Sequence, residues 1–431
     1  MTSAERGPAA PQGPCVIVDP YSSGALFAEA LDEHGVPVVA VVDSDGPLDA
    51  YASSYRPQDF PRIIEYDGDL ESVVRRLRDL DPRCVLAGCE SGVELAERLA
   101  PRVVPERCNV PGLAAARRDK SHMAAAVAAA GLPVIPQICT SDVEEVAAWL
   151  AREGLAGADL VIKPPKSAST DGVIKLTGGA HWQAVFSRQI GRVNQFGETD
   201  DQLVVQKFVT GTEYVIDTFS HEGKHALVDV CAYHKVDNGP HMAVYDTMRW
   251  LPPDDPALPG LTEYVFGVLD AVGLRFGSAH VEVMSTTDGP LLIELGARPH
   301  GGGQPRFNRN ATADSQIDRT VRWLTGGELP QSYELLTPQM CVFHLAPRSG
   351  TVRGTAVLDG IRNLPSHHFS VQNLAEGDHV PATRDLVDSL NFGFVILAHP
   401  DEEQIRRDYE AVRAMERRLS IEEWTSIPPR S

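Results

Sequence analysis

The sequence predicts an α/β domain followed by a longer α+β region. Short apolar runs alternate with helical stretches over the first hundred residues, and strand signals then dominate from Leu160 to Leu295. Val16–Val18 is the first apolar run, and a turn from Asp19 to Gly24 leads into a helical stretch from Ala25 to His34, closed by Gly35. Val38–Val42 is the next strand, ending at Asp43. Cys84–Ala87 then passes through Gly88-Cys89-Glu90-Ser91-Gly92 into a helix over Val93–Leu99. Such βαβ alternation implies a small parallel sheet covered by helices. One glycine in the first turn falls short of the GxGxxG pattern, which disfavours a dinucleotide site and leaves an α/β domain whose loops face a substrate.

Around Pro111 the character changes. Asp119 caps an alanine-rich helix that runs to about Ala130 and stops at Gly131-Leu132-Pro133. The capping box Ser141-x-x-Glu144 opens a second helix ending near Gly154. Strands are expected at Leu160–Ile162, Val173–Leu176, Leu203–Val205, Tyr214–Phe219, Ala226–Val230, His280–Met284 and Leu291–Leu295, with one helix, Leu261–Val272, among them. The last hundred residues read as strands Cys341–Leu345, Thr355–Leu358 and Phe394–Ala398, then a charged helix from Glu402 to about Arg418. The expected division is a disordered leader over 1–13, an α/β domain over 14–112, a central domain over 113–325 and a C-terminal domain over 326–431.

Composition narrows the function. The 431 residues carry a formal net charge of −20, which argues against nucleic acid or an anionic membrane as partner, since either requires a basic face. No apolar run reaches the roughly 18 residues of a membrane span. Seven scattered cysteines without CxxC spacing argue against zinc and disulfides and fit a reducing cytosol. A small substrate fits best.

Glu282 and Glu294 each lie inside an apolar strand, and Thr286–Pro290 between them reads as a hairpin turn. Strands joined this way present both carboxylates on one face, where they repel unless a cation lies between them; oxygen ligands completed by phosphates are the magnesium pattern. Downstream come Arg298, suited to fork onto phosphate or carboxylate, and Gly301, Gly302 and Gly303, whose backbone N–H groups can approach an anion. Lys163 ends a strand ahead of the small-residue loop Lys166–Gly172, and Lys120 starts a helix. The run Leu203–Glu213 has a backbone suited to a purine edge, with Glu213 placed for a ribose. His234, His241 and His280 are candidate bases, His280 sharing the face of Glu282. Arg249, Arg306 and Arg309 are candidates to clamp a substrate carboxylate.

Taken in order, Arg118-Asp119-Lys120, Val161-Ile162-Lys163-Pro164, the hinge Val205–Glu213, Glu282, Glu294 and Ala297-Arg298-Pro299 resemble the ATP-grasp superfamily over roughly residues 14–325. Within it the sequence looks like the carboxylate–amine ligases, the L-amino-acid ligases and dapdiamide synthetase-like enzymes. The resemblance implies an ATP-grasp fold with an N-terminal Rossmann-like pre-ATP-grasp domain and a β-rich C-terminal domain similar to that of biotin-carboxylase-like relatives. It implies ATP and Mg2+ (or Mn2+), with Lys120 and Lys163 on phosphates, Gln206, Lys207, Phe208 and Val209 along the adenine, and Glu213 on the ribose. Glu282 and Glu294 would hold the metal, Arg298 would support the transferring phosphoryl group, and Gly301–Gly303 would meet the acyl substrate. A small-molecule carboxylate and an amino-acid-like amine would be joined through an acyl phosphate. Relatives are often homodimers; the sequence leaves oligomeric state open. Three departures stand out: Gln206 where glutamate is common, Gly296 where many relatives have asparagine, and a flap poor in glycine. A purine-biosynthesis-like or biotin-carboxylase-like enzyme and a non-catalytic ATP-binding module are the alternatives.

Overall fold

The computed structural model describes residues 13–167, 171–238 and 241–422, so all but Gly13 of the expected leader and part of the flap lie outside the described residues. β1 (Cys15–Val18), β2 (Val38–Asp43), β3 (Ile63–Tyr66) and β4 (Cys84–Ala87) form a parallel sheet in the order β3-β2-β1-β4. Alternation buries both faces: Cys15 and Ile17 enter one cluster, Val16 and Val18 the other. β3 and the helix Leu70–Arg78 were not anticipated; β3 is only Ile-Ile-Glu-Tyr, too short for a periodic signal. Strand order reverses beside β1, so the loops after β1 and β4 flank a crevice at the carboxyl edge of the sheet.

The helix Lys120–Ala129 begins where expected, with the Asp119 carboxylate accepting from the Ser121 and His122 N–H groups. A second, antiparallel sheet follows: β5 (Gln137–Thr140), β6 (Leu160–Lys163), β7 (Ile174–Leu176) and β8 (Leu203–Lys207), in the order β5-β8-β6-β7. The expected capping box is replaced. Asp142 caps the helix Val143–Arg152, while Thr140 bonds Glu145, because the first turn starts one residue later than the Ser141 reading required. An unanticipated helix, Trp182–Gln189, packs with it against this sheet.

β9 (Thr212–His221), β10 (Lys224–Asn238), β11 (His241–Trp250), β12 (Gly277–Thr286) and β13 (Gly289–Gly296) belong to an eight-stranded antiparallel sheet. Its other members come from the last hundred residues, where β14 (Gln339–Phe343), β15 (Gly350–Arg353), β16 (His367–Gln372), β17 (His379–Val380), β18 (Gly393–Ala398) and β19 (Ser420–Glu422) occur. The order is β13-β12-β9-β10-β11-β14-β18-β16, with β17-β15-β19 forming a small side sheet. The expected strand Thr355–Leu358 is instead a 3-10 helix, Thr355–Asn363; Gly354, at φ +81°, turns the chain before it can extend.

The large sheet has one apolar and one polar face. Ile216, Val281, Val283, Leu292 and Leu295 pack beneath the helix Leu258–Ala271, while the intervening residues face the other way. The helix Gln316–Thr325, assigned by sequence to the central domain, inserts Ile317, Val321 and Leu324 into the core of the first domain. The polar face of the sheet is therefore left opposite the N-terminal crevice.

Candidate active site

A cavity of about 1140 Å³ lies between the polar face of the large sheet, the N-terminal crevice and the β5–β8 sheet. Cross-strand register builds its floor. Glu282 is the direct partner of Glu294, His280 of Asp217, and Met284 of Glu213, so these side chains share one face. A bulge follows at Val283, leaving Ile293 without a partner beside Glu294. The expected paired carboxylates are thus adjacent on neighbouring strands and line one cavity.

Cations surround that pair. The Lys120 ammonium lies 3.3 Å from Glu294 Oε2 and donates to the Ser167 carbonyl at 2.5 Å. The Lys163 ammonium, on a residue only 4% exposed, has no ion pair or hydrogen bond among the described residues. Burial, reinforced by Lys120, drives its pKa down to about 8 despite Glu294, Glu282 and Glu213 nearby. Glu282 goes the other way. Burial would raise it, but the hydrogen bond from His280 and the charge of Lys235 outweigh this and hold it at about 2. Glu213 is fixed by Lys235 at 2.6 Å, and burial nonetheless raises its pKa.

The hinge is anchored through its own backbone. The Lys207 N–H donates to the Pro136 carbonyl at 3.0 Å and the Phe208 N–H to the Asp159 carbonyl at 2.9 Å, leaving the Val209 N–H without a hydrogen-bond partner among the described residues. Gln206, Phe208 and Val209 line the cavity, and Lys175 sits 3.8 Å over the Phe208 ring. Lys207 does not line it: its side chain is exposed, because strand alternation turns it away from the face of Gln206.

Arg298 is already engaged. Its Nε donates to Glu90 Oε2 at 2.9 Å and its Nη1 to the Pro299 carbonyl at 3.0 Å, while Arg118 stands 3.4 Å from the other Glu90 oxygen. Burial would raise the Glu90 pKa, but Arg298, Arg118 and Lys120 outweigh it and hold the carboxyl below its usual range. The same ion pair explains Gly296, where a Cβ would stand 3.0 Å from Glu90 Oε2 and 3.1 Å from Arg298 Nε. The glycine run differs from the anion cradle expected of it. The Gly302 and Gly303 N–H groups donate to Ser22 and Ser23 Oγ, both at 3.0 Å, because this loop docks against the N-terminal crevice.

Two buried groups missed in the sequence complete the floor. Asp217 accepts from His280 Nδ1 on one oxygen, at 3.0 Å, and from His300 Nδ1 on the other, at 2.8 Å. His280 also meets Glu282 at 3.3 Å; burial would lower its pKa, but the two carboxylates raise it to about 9. An acid inside the apolar run Tyr214–Phe219 was the available signal for Asp217. Arg306 lines the cavity, and His234 sits at its edge, exposed and bonded to Asp246 at 2.8 Å. Arg249 and Arg309 stand apart: the first is 3.9 Å from Glu402, the second pairs with Asp318, and neither lines the cavity. The side chain of His241 lies outside the described residues.

A family model described as the ATP-grasp domain matches residues 156–304. The chain is 28% identical to dapdiamide A synthase of Enterobacter agglomerans, over 93% of this chain and 95% of that protein. It is 25% identical to the L-arginine-specific L-amino acid ligase of Bacillus subtilis over 41% of this chain and 42% of that one. The L-amino acid ligase of Bacillus licheniformis shares its fold, with a TM-score of 0.71 at 17% identity over 96% of this chain and 99% of that one. The two lysines and the two opposed glutamates stand around one cavity at the hinge, and residues 156–304 of the chain match the ATP-grasp domain.

Proposed function

We propose that the chain is an ATP-dependent carboxylate–amine ligase that forms an amide of dipeptide type through an acyl phosphate, releasing ADP and phosphate. The observation that carries this reading is the Glu282–Glu294 pair facing a cavity that also receives Lys120, Lys163 and Arg298. The relation to dapdiamide A synthase along nearly the whole chain favours amide formation over other ATP-grasp chemistry.

The residues present suit a nucleotide and a divalent cation. Lys163 is a buried ammonium with no protein partner among the described residues, the state expected of a group awaiting a phosphate. The unpartnered Val209 N–H offers the hinge a donor for the adenine edge. Glu282 and Glu294 would hold Mg2+ or Mn2+, which neutralises phosphate oxygens during transfer.

In this reading Lys120 and Lys163 position the triphosphate against the floor. The substrate carboxylate enters from the side of Arg298 and Gly301–Gly303, where Glu90 and Arg118 fix the guanidinium in place. Its oxygen attacks the terminal phosphorus as the bond to ADP breaks, so catalysis rests mainly on position and charge. The amine then displaces phosphate. Residues 14–112, 113–325 and 326–431 are assigned as pre-ATP-grasp, ATP-grasp and C-terminal domains.

The test is nucleotide release from ATP and magnesium with pools of amino acids, with product masses recorded. ADP and phosphate that depend on amino acids, with a product equal to two substrates less water, is the expected result. AMP and pyrophosphate would overturn the acyl-phosphate route.

A further inference from the structure

The ligase reading needs a group that takes a proton from the incoming amine. We propose that this group is His300, acting through Nε2 and held in position by Asp217. The proposal rests on the ligase reading and adds a catalytic residue to it.

Hydrogen bonding assigns the proton positions. Asp217 is fully buried and, as a carboxylate, only accepts; each of its oxygens faces one imidazole Nδ1, so both histidines carry hydrogen there. His280 turns its second nitrogen toward another carboxylate, Glu282, at 3.3 Å, so both of its nitrogens face acids. His300 turns Nε2 toward the Tyr233 hydroxyl, at 3.4 Å. With its Nδ1 hydrogen given to Asp217, the neutral form of His300 carries its lone pair on Nε2. The two rings lie 4.1 Å apart between centroids, so positive charge on both at once is disfavoured. Burial, with the neighbouring charges of His280 and Arg298, keeps His300 below the usual histidine range, consistent with this assignment. Each Asp217 oxygen faces one imidazole, which makes Asp217 a positioning residue for both rings.

Location selects His300 among the histidines. It lines the cavity between Arg298 and the Gly301–Gly303 loop, where the acyl group is proposed to lie. His280 has both nitrogens occupied by carboxylates, and His234 is at the rim, bonded to Asp246. An amino-acid amine arrives as an ammonium and must lose two protons to become an amide. The first passes to His300 Nε2, and the resulting imidazolium is held by Asp217. The freed lone pair forms the C–N bond to the acyl carbon, the C–O bond to phosphate breaks with its electron pair, and the second proton leaves with the phosphate.

Hydroxylamine separates this role from substrate binding, because it is already unprotonated at neutral pH and traps acyl phosphates without a base. The full-length His300→Asn protein is assayed with ATP, magnesium and the twenty common L-amino acids, with and without hydroxylamine. The expected result is a loss of amide of about 100-fold or more while hydroxamate stays within about threefold of wild type. Parallel loss of both products, or unchanged amide, would overturn the proposal. A wild type that makes neither amide nor hydroxamate would instead sink the ligase reading beneath it. A second measurement needs no turnover: long-range proton–nitrogen spectra of the wild-type protein, with the His300 signals assigned by their loss in His300→Asn. A bare Nε2 and a protonated Nδ1 are expected, and a protonated Nε2 would overturn the assignment.

Discussion

Lys163 is costly to the folded chain until a ligand arrives. Burial removes water from its ammonium and Lys120 adds like charge, so the folded chain releases this proton near pH 8 whereas the unfolded chain keeps it to about 10.5. The unfolded state thus binds more protons across that window, and stability rises with pH through it; below pH 8 the full penalty is present. Lys163→Met should stabilise the nucleotide-free protein at pH 7 by on the order of 1–3 kcal/mol, an advantage that shrinks toward pH 10, and lower turnover by about 100-fold. Denaturant titration at the two pH values and steady-state rates check both halves. At Glu282, Glu294 and Arg298 no such gain is expected: each changed to alanine should lose about 100-fold or more in turnover with circular dichroism unchanged, and wild-type rates in all three would remove the site assignment. Glu282 and Glu294 were legible because an acid inside an apolar strand is conspicuous. Glu90 was not, since its partner Arg298 is 208 positions away and only the fold brings the N-terminal crevice to the large sheet. His300 was hidden for the same reason, its anchor Asp217 lying 83 positions earlier.

At the scale of elements, β13 shows how a strand end prepares a side chain on the next loop. Gly296 lies two residues before Arg298, and the space a Cβ would need is occupied by the Glu90–Arg298 ion pair. Glu90 is buried and also gripped by Arg118, and the Arg298 side chain is only 12% exposed, so neither can swing aside freely. A side chain there, asparagine for example, would press on both partners of the pair, at 3.0 and 3.1 Å from its Cβ. Gly296→Asn should therefore leave the secondary structure intact and reduce turnover by about tenfold or more, through misplacement of Arg298. Full activity in that variant would show that the pair does not hold the guanidinium for catalysis. Long elements with strong patterns were readable in the same way: the helix Lys120–Ala129 with its Asp119 cap and the strands β12 and β13 around their turn. β11 was missed because its alternation is masked by polar residues such as His241, Asp246, Thr247 and Arg249, on a strand paired on both sides. Thr355–Leu358 misled because its β-branched residues read as a strand, whereas Gly354 and the packing of Leu358 and Ile361 impose a tight helix.

The whole molecule is bound together more tightly than the sequence divisions suggest, and this yields its own prediction. β14 pairs with β11 through Thr247, Met248 and Arg249, and β18 and β16 extend the same sheet, so residues beyond 326 complete a sheet begun at residue 212. The core there mixes both segments: Cys231, Tyr245 and Trp250 pack with Cys341, Phe343 and Ile396. The helix Glu402–Glu416 adds Arg413, whose guanidinium bonds the Phe343 carbonyl and pairs with Asp246 at 2.5 Å, while Tyr409 bonds Asp246 as well. A chain ending at residue 325 would expose the β11 edge and an apolar wall to water, and would leave the buried Asp246 without Arg413, a loss of about 3 kcal/mol or more on its own. Such a truncation should be insoluble or lack cooperative unfolding, and should bind no nucleotide, even though the lysines, hinge and glutamates all lie within it. A soluble 1–325 fragment that melts cooperatively and binds ATP would show the opposite: the shared sheet would then be an interface between independently folding units, and the C-terminal segment would act on the substrate side of the cavity alone.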